Sequence, residues 1–278
     1  MTPISFEFYP PKTPESFERL KQTAIDLKSI NPEFYSVTYG AGGSTRSMTH
    51  ETVRMVKEAT GLSAIPHIAG LGSTNEDIST LLSTYQEENI RNLVVLRGDM
   101  PTGQSTQGDF QYAHDLIKFI RKTTGDHFEI TVAAYPEYHP ESATTTSDID
   151  NLKRKMDAGA NNIITQYFYN PDAYFYFRDQ CVLAGITSDL TVGVMPITNL
   201  VRLARFSDMC GAEIPLWMKK QMETLNDEKA AITAFGETFM QTFLKKLQEG
   251  GAPGFHFYTL NQSEPTLSIC QQLLNQVK

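Results

Sequence analysis

The chain has 278 residues, 31.2 kDa and a formal net charge of −8, with 24 Lys and Arg against 32 Asp and Glu. That length suits one large barrel or two small domains, and 40% apolar residues supply a core. An acidic chain without a Lys/Arg run does not wrap a polyanion, so nucleic acid is not an expected partner, and no apolar run reaches the ~20 residues of a membrane span.

Taken in order, the chain alternates strand and helix. It opens on ISFEFYPPK at 4–12, an aromatic-rich strand stopped at Pro10-Pro11. Period-two alternation sets Ile4, Phe6 and Phe8 on one face and Ser5, Glu7 and Tyr9 on the other. A helix follows over 14–28, then a strand at 34–40, a helix at 46–60, a strand at 63–70 and a helix at 75–88. NLVVLRGD, 92–99, is a buried strand, and a helix at 110–123 follows it. FEITVAAYPE at 128–137, a helix at 145–157, NNIITQYFY at 161–169 and a helix opened by Pro171 continue the pattern. The seventh strand is LTVGVMPI at 190–197, with helices at 199–210, 215–224 and 228–248 after it; GFHFYTL at 254–260 and a helix at 264–276 end the chain.

Eight strands separated by helices, with no break in composition, predict a single-domain (β/α)8 barrel over 1–278. The competing architecture is a doubly wound open sheet, but no GxGxxG joins the first strand to the first helix, and GAGGST at 40–45 has the wrong spacing. The three cysteines lie far apart and form no CxxC; with the first strand starting almost at Met1, the expectation is reduced thiols, no signal peptide and a cytoplasmic location.

A mid-strand carboxylate such as Glu7, taken alone, is the mark of an edge strand facing water. Seven further strands change that, because they supply a mouth into which it can point. Polar residues collect where those strands end: Thr38 and Tyr39, His67, Arg97 to Asp99, Tyr135 with Glu137 and His139, Gln166, and Tyr258 with Asn261. Packing has no reason to favour one rim, whereas active sites of such barrels lie at the C-terminal strand ends. The set holds no cysteine, no GxSxG and no HExxH, and nothing in the spacing of His67 and His139 calls for a metal. One acid, aromatics, amides and the cations Arg97, Arg154 and Lys155 suit a flat, phosphate-bearing cofactor and hydride transfer.

FEFYPPK, SVTYGAGGSTR, PHI, LRGDMP, AAYPEYHPE, LKRKMDAGANNIITQYFY, FRDQC and GFHFYTLN occur in this order along the whole chain. In these the sequence resembles the methylenetetrahydrofolate reductase family, a flavin-dependent catalytic barrel. The resemblance implies a homo-oligomer carrying FAD that reduces 5,10-methylenetetrahydrofolate to 5-methyltetrahydrofolate with NADH or NADPH, feeding methionine synthesis. It also implies that the regulatory domain of the longer eukaryotic members is lacking.

By position, Glu7 matches the family's catalytic acid. A carboxyl beneath a flavin in a barrel mouth is desolvated, which favours its protonated form, as donation to the substrate's N10 requires. Asp99 matches a carboxylate beside flavin and pterin, favouring an iminium cation and a readier hydride donor. Thr38, Tyr39 and Ala41, with His67, Arg97 and Gly98, match the flavin-ring and ribityl shell. Tyr112 and Ala113 match adenine contacts. Tyr135, His139, Asp148, Asn151, Arg154 and Lys155 match the diphosphate and ribose contacts; NLKRK by itself reads rather as a solvated helix face. Gln166 matches a pterin and nicotinamide partner, Phe206 a stacking aromatic, and Tyr258 a substrate contact. Familiar members have Arg after HFYTLN where this chain has Gln262, and Arg202 stands as a candidate replacement facing the folate's glutamate tail. A flavin-free lyase or aldolase barrel, and a flavin- or folate-binding regulator without catalysis, are the alternative readings.

Overall fold

The computed structural model describes residues 2–39, 43–99, 108–144, 146–226 and 228–275, with the side chains of 43–46 left aside. Eight parallel strands close into a barrel in the order of the chain, β1 (Ile4–Phe8) to β8 (Phe255–Tyr258), the two ends paired through Ser5 with His256 and Glu7 with Tyr258. The intervening strands are β2 (Phe34–Val37), β3 (Ala64–Ala69), β4 (Asn92–Leu96), β5 (Glu129–Ala134), β6 (Asn162–Thr165) and β7 (Leu190–Val194). This is the predicted (β/α)8 fold.

The helices form the outer ring. α1 (Pro14–Lys28), α2 (Gly43–Thr60), α3 (Asn75–Glu87), α4 (Ala113–Thr124), α5 (Ser147–Asp157) and α6 (Pro171–Leu183) each follow one strand. α7 (Leu200–Cys210), α8 (Leu216–Thr224) and α9 (Lys229–Glu249) separate β7 from β8, and α10 (Thr266–Asn275) comes last. Local chemistry sets where they start. Thr13 and Ser16 exchange side-chain and backbone hydrogen bonds ahead of α1, and Thr74 and Asp77 do the same ahead of α3, each satisfying amides that the first turn leaves unpaired.

The strand alternation read from ISFEF is the alternation observed. Phe6 and Phe8 are 0% and 1% exposed and pack outward under the helices, Phe8 stacked on Tyr35 at 5.4 Å and Phe6 at 6.0 Å from Phe257. Burying each such side chain contributes about 1.5–3 kcal/mol. Tyr35 keeps its buried hydroxyl satisfied by donating to the Ala24 carbonyl at 2.9 Å. At the N-terminal end of the strands, Arg121 donates to the carbonyls of Gly159 and Phe128 and to the Asn161 side chain, tying α4 to the turns before β5 and β6.

The strands are shorter than the sequence predicts, by one residue at most at the N-terminal end and mostly by more at the C-terminal end. β2 stops at Val37 rather than 40, β4 at Leu96 rather than 99, β6 at Thr165 rather than 169 and β8 at Tyr258 rather than 260. Ladder pairing ends there, so the polar residues that follow stand on loops at the barrel mouth, supported by the rigid strands beneath.

Candidate active site at the barrel mouth

Two adjoining cavities occupy the mouth. One, of about 430 Å³, enters the lumen and is lined by Glu7, Thr38, Tyr39, His67, Gln166, Phe206, His256 and Tyr258. The other, of about 420 Å³, runs outward over β4 and β5 between α4 and α5, lined by Arg97, Gly98, Tyr112, Ala113, Asp148, Asn151 and Lys155. Leu96, Asp99, Ala133, Tyr135 and His139 line both, so the two form one trough with Asp99 at its middle. Both volumes are in the range of small-molecule sites.

Glu7 points into the lumen, as the alternation requires. Its side chain is 20% exposed, and its Oε2 lies 3.6 Å from His67 Nε2 and 3.8 Å from His256 Nε2. The Glu7 backbone is fixed from β8, because Thr259 Oγ1 donates to the Glu7 carbonyl at 2.7 Å. Burial lowers the His67 pKa to about 4, more than Glu7 opposes it, so this imidazole stays neutral near pH 7.

Tyr258 crosses the lumen and donates its hydroxyl to the Thr165 carbonyl at 2.7 Å. Gly193 makes that possible: a Cβ there would sit 2.8 Å from the Tyr258 ring and 2.0 Å from the Thr165 carbonyl oxygen. The hydroxyl is therefore engaged within the protein, and it is the ring that faces the cavity. Gln166 accepts the Tyr167 N–H through its side-chain oxygen at 3.0 Å. Phe206 and Met209 reach the cavity from α7, and Tyr167 is anchored to the same helix, its hydroxyl 3.1 Å from Ser207 Oγ.

The outer cleft has its own logic. Gly98 adopts φ +82°, and a Cβ there would meet Ala69 at 2.8 Å, so the turn that presents Arg97 and Asp99 needs glycine. Arg97 pairs with Glu141 at 2.6 Å, which raises its pKa, and Asp148 accepts from the His139 backbone N–H and the Ser142 hydroxyl, holding the loop after β5 in place. Glu137 belongs to the same loop and accepts the Glu213 backbone N–H at 2.6 Å; burial pushes its pKa up to about 7. Tyr135 is raised to about 12 by burial and meets the His139 ring edge-on at 4.7 Å. Lys155 donates to the Ala133 carbonyl at 2.5 Å, and burial lowers its pKa to about 8. Tyr112 is 53% exposed and stacks on His114 at 5.4 Å, an open aromatic edge at the far end of the cleft.

Three predicted residues line neither cavity. Arg154 is exposed on α5 and donates to Asn151 Oδ1 at 2.9 Å, because consecutive helical residues diverge and Lys155 takes the inward face. Gln262 is exposed, with its backbone N–H on the Thr259 carbonyl. Arg202 is exposed too, but it stands one turn before Phe206, a residue of the inner cavity, and on the same face of α7. Ala41 lies outside the described residues. Asn261 is accounted for by structure: it bonds both the N–H and the carbonyl of Tyr9, locking the end of β8 to the end of β1.

Sequence reading passed over His256 and the α7 residues Met209 and Cys210. The signal for His256 was present, since alternation in FHFY puts it on the Tyr258 face; nothing in the sequence says that α7 folds over the mouth.

As a chemical set, the outer cleft offers a half-buried cation, backbone atoms over small alanines and an exposed aromatic edge, which fit a nucleotide diphosphate. The inner cavity offers one apolar wall, one polar wall and two carboxyls, Glu7 in the lumen and Asp99 at the junction, which fit a flat ring system needing one proton.

Residues 1–274 match the family model described as methylenetetrahydrofolate reductase. The chain is 40% identical over 270 residues to the 5,10-methylenetetrahydrofolate reductase of Escherichia coli (strain K12), covering 97% of this chain and 90% of that protein. It is 35% identical over 285 aligned residues to methylenetetrahydrofolate reductase (NADH) 1 of Arabidopsis thaliana, covering 98% of this chain and 48% of that one. Among solved structures, an uncharacterized protein from Clostridium thermocellum that binds two copies of 5-methyl-5,6,7,8-tetrahydrofolic acid superposes with a TM-score of 0.69 at 15% identity, over 99% of this chain and 94% of that one, a likeness of fold. With the family's pattern matched almost from end to end, the chain belongs to the methylenetetrahydrofolate reductase family.

Proposed function

We propose that this protein reduces 5,10-methylenetetrahydrofolate to 5-methyltetrahydrofolate, using FAD held in the trough and NADH or NADPH as the source of hydride. The observation that carries the reading is the placement of Glu7: a carboxyl pointing into the lumen at the floor of the inner cavity, which joins a cation-bearing cleft where Asp99 lines both. The chemistry FAD supplies when bound is two-electron carriage, hydride taken from the pyridine nucleotide and given to the folate in turn.

The remaining work falls to the chain. Lys155, Asn151 and His139 would hold the diphosphate and ribose, with Tyr112 and Ala113 at the adenine. Gly98, Thr38, Tyr39 and His67 would border the ring system. Gln166 would hydrogen-bond the pterin through its amide, and Phe206 would cover it. Arg202, exposed on α7 one turn before Phe206, would meet the glutamate tail of the folate.

Glu7 would act on the bond that must open first. The methylene bridge accepts hydride only as the N5 iminium cation, and forming that cation requires a proton on the departing N10. A carboxyl in the lumen, with the neutral His67 ring at 3.6 Å and the His256 ring at 3.8 Å, can hold that proton and release it. Asp99, facing both cavities, would offset the positive charge that develops on the pterin.

A stopped-flow trace tests this. The purified protein should be yellow, bleach with NADH or NADPH and regain colour on adding methylenetetrahydrofolate. A colourless protein, or one that bleaches and never recovers with folate, would overturn the reading.

A further inference from the structure

The cofactor cleft and the folate cavity account for the mouth, but not for the polar layer beneath Glu7. His256 is 1% exposed, and it lies among Ser5 and Ser36, both buried. The Ser5 hydroxyl is 2.7 Å from His256 Nδ1 and the Ser36 hydroxyl 3.3 Å from Nε2, while Glu7 Oε2 is 3.8 Å from the same Nε2. From β3, His67 Nε2 approaches that carboxyl oxygen at 3.6 Å and has no hydrogen-bond partner among the described residues. Phe34 stacks on the His256 ring at 5.7 Å, Tyr258 meets it edge-on at 5.6 Å, and Gly193, its partner on β7, brings no side chain. Glu7, His67 and Tyr258 are thus the titratable groups around this ring. Burial keeps His67 neutral and raises Tyr258 well above its usual range.

Barrel lumens are usually filled by branched apolar side chains, and a buried polar group gives nothing to packing. An imidazole held between two serines is therefore a feature to explain. Neutral imidazole has one N–H and one lone pair. With the proton on Nδ1, a lone pair would face an ionised Glu7. With the Ser5 hydroxyl donating to Nδ1, the proton sits on Nε2 and faces both Ser36 Oγ and Glu7 Oε2. Ionised Glu7 selects the second arrangement.

We infer that His256 is a positioning residue for the proton transfer: Ser5 fixes its tautomer, and its Nε2–H, 3.8 Å from Oε2 and so not yet a hydrogen bond, is the donor turned toward Glu7 as its carboxyl becomes a carboxylate. This rests on the donor role proposed for Glu7. In the step itself the Glu7 O–H bond breaks and an N10–H bond forms. The electron pair of the bond from the methylene carbon to N10 passes to N10, and the N5 lone pair closes the iminium. His256 neither gains nor loses a proton.

The test uses the full-chain flavoprotein and follows the two half-reactions separately across pH, with 15N NMR of the histidine rings as a readout independent of turnover. In the wild type a buried ring should show the Nε2–H tautomer, and His256→Gln should remove that signal. His256→Leu should leave flavin reduction by NADH unchanged. It should slow folate reduction about tenfold and move its falling limb up by roughly one pH unit, since losing a donor to the carboxylate favours the protonated form. His256→Gln, whose amide can donate from nearly the same place, should recover most of the rate. Ser5→Ala, a milder change, should shift the limb the same way by less, and it serves if His256→Leu does not fold. A wild-type limb in both His256→Leu and Ser5→Ala, or an Nδ1–H tautomer in the wild type, would overturn the inference while leaving the reductase reading in place. Folate reduction that survives Glu7→Gln would instead strike at the donor role on which it rests.

Discussion

The two walls of the barrel lumen are made differently. On β8, β1, β2 and β3 the inward residues include His256, Tyr258, Ser5, Glu7, Ser36 and His67, with the apolar Phe34 and Ile65 below them. On β4 to β6, the opposite wall of the cavity carries Val94, Leu96, Ala133 and Ile164. The strands on both sides are equally regular and pack equally apolar outer faces under the helices, Phe6, Phe8 and Phe257 on one side and Val95, Ile130 and Ile163 on the other. The difference is therefore confined to the lumen. The barrel's stability then comes from the interface with its helices, which frees one half of the interior for the proton transfer proposed for Glu7 and leaves the other half apolar.

The strongest way to break that division is at Glu7. Glu7→Gln keeps shape and removes the proton. Folate reduction should fall by about 10²–10⁴-fold, the usual worth of a general acid, while flavin reduction by NADH stays near wild type. Equal losses in both half-reactions would mean that the polar wall supports the cofactor rather than the proton transfer.

How far the sequence reached follows the same division. The outer and inner faces of β1 were legible because strand alternation has period two, and ISFEF can be divided in only one way. The residues after each strand were legible as a rim, but not their depth: Arg97 and Asp99 read as strand and stand on a loop. Adjacent cations in LKRK carried no information on which one turns inward; the helix separates Arg154 from Lys155, and only Lys155 enters the cleft. His256 was passed over although alternation in FHFY puts it on the Tyr258 face, because the two Phe residues mark the strand as core. The α7 contacts depend on how three helices are accommodated between β7 and β8, which is a tertiary choice with no local signature.

A second prediction extends the polar wall upward to the helix above it. Arg202→Ala should raise the folate KM by the equivalent of roughly 1.5–3 kcal/mol, the value of a lost charge-assisted bond, with NADH oxidation unaffected. An unchanged KM would end the assignment of Arg202 to the glutamate tail and leave the rim above Phe206 without a cation for it.

On the apolar wall the expected effect is of another kind. Ile164→Ala should cost about 2 kcal/mol in chemical denaturation, at the low end for such a truncation because the side chain borders a cavity. Both half-reactions should keep their pH dependence. If instead the falling limb of folate reduction moved, as on the polar wall, the two halves of the lumen would not be separable.

The smallest effect is expected in the outer cleft, at Lys155. Burial holds its pKa near 8, below the usual lysine value, so in the free protein it loses its proton as pH rises through 8. A diphosphate beside it favours the charged form and raises that pKa. Binding of FAD to the apoprotein should therefore take up protons. The affinity should be greatest below pH 8 and fall as pH rises above it, by at most about tenfold per unit, until the pKa of the complex is passed. Flavin fluorescence titrations between pH 7 and pH 10 measure this directly, and Lys155→Met should bind more weakly at pH 7 with the slope gone. A slope that survives Lys155→Met would place the titrating group elsewhere in the cleft, and Tyr135, already raised to about 12 by burial, is too high to supply it.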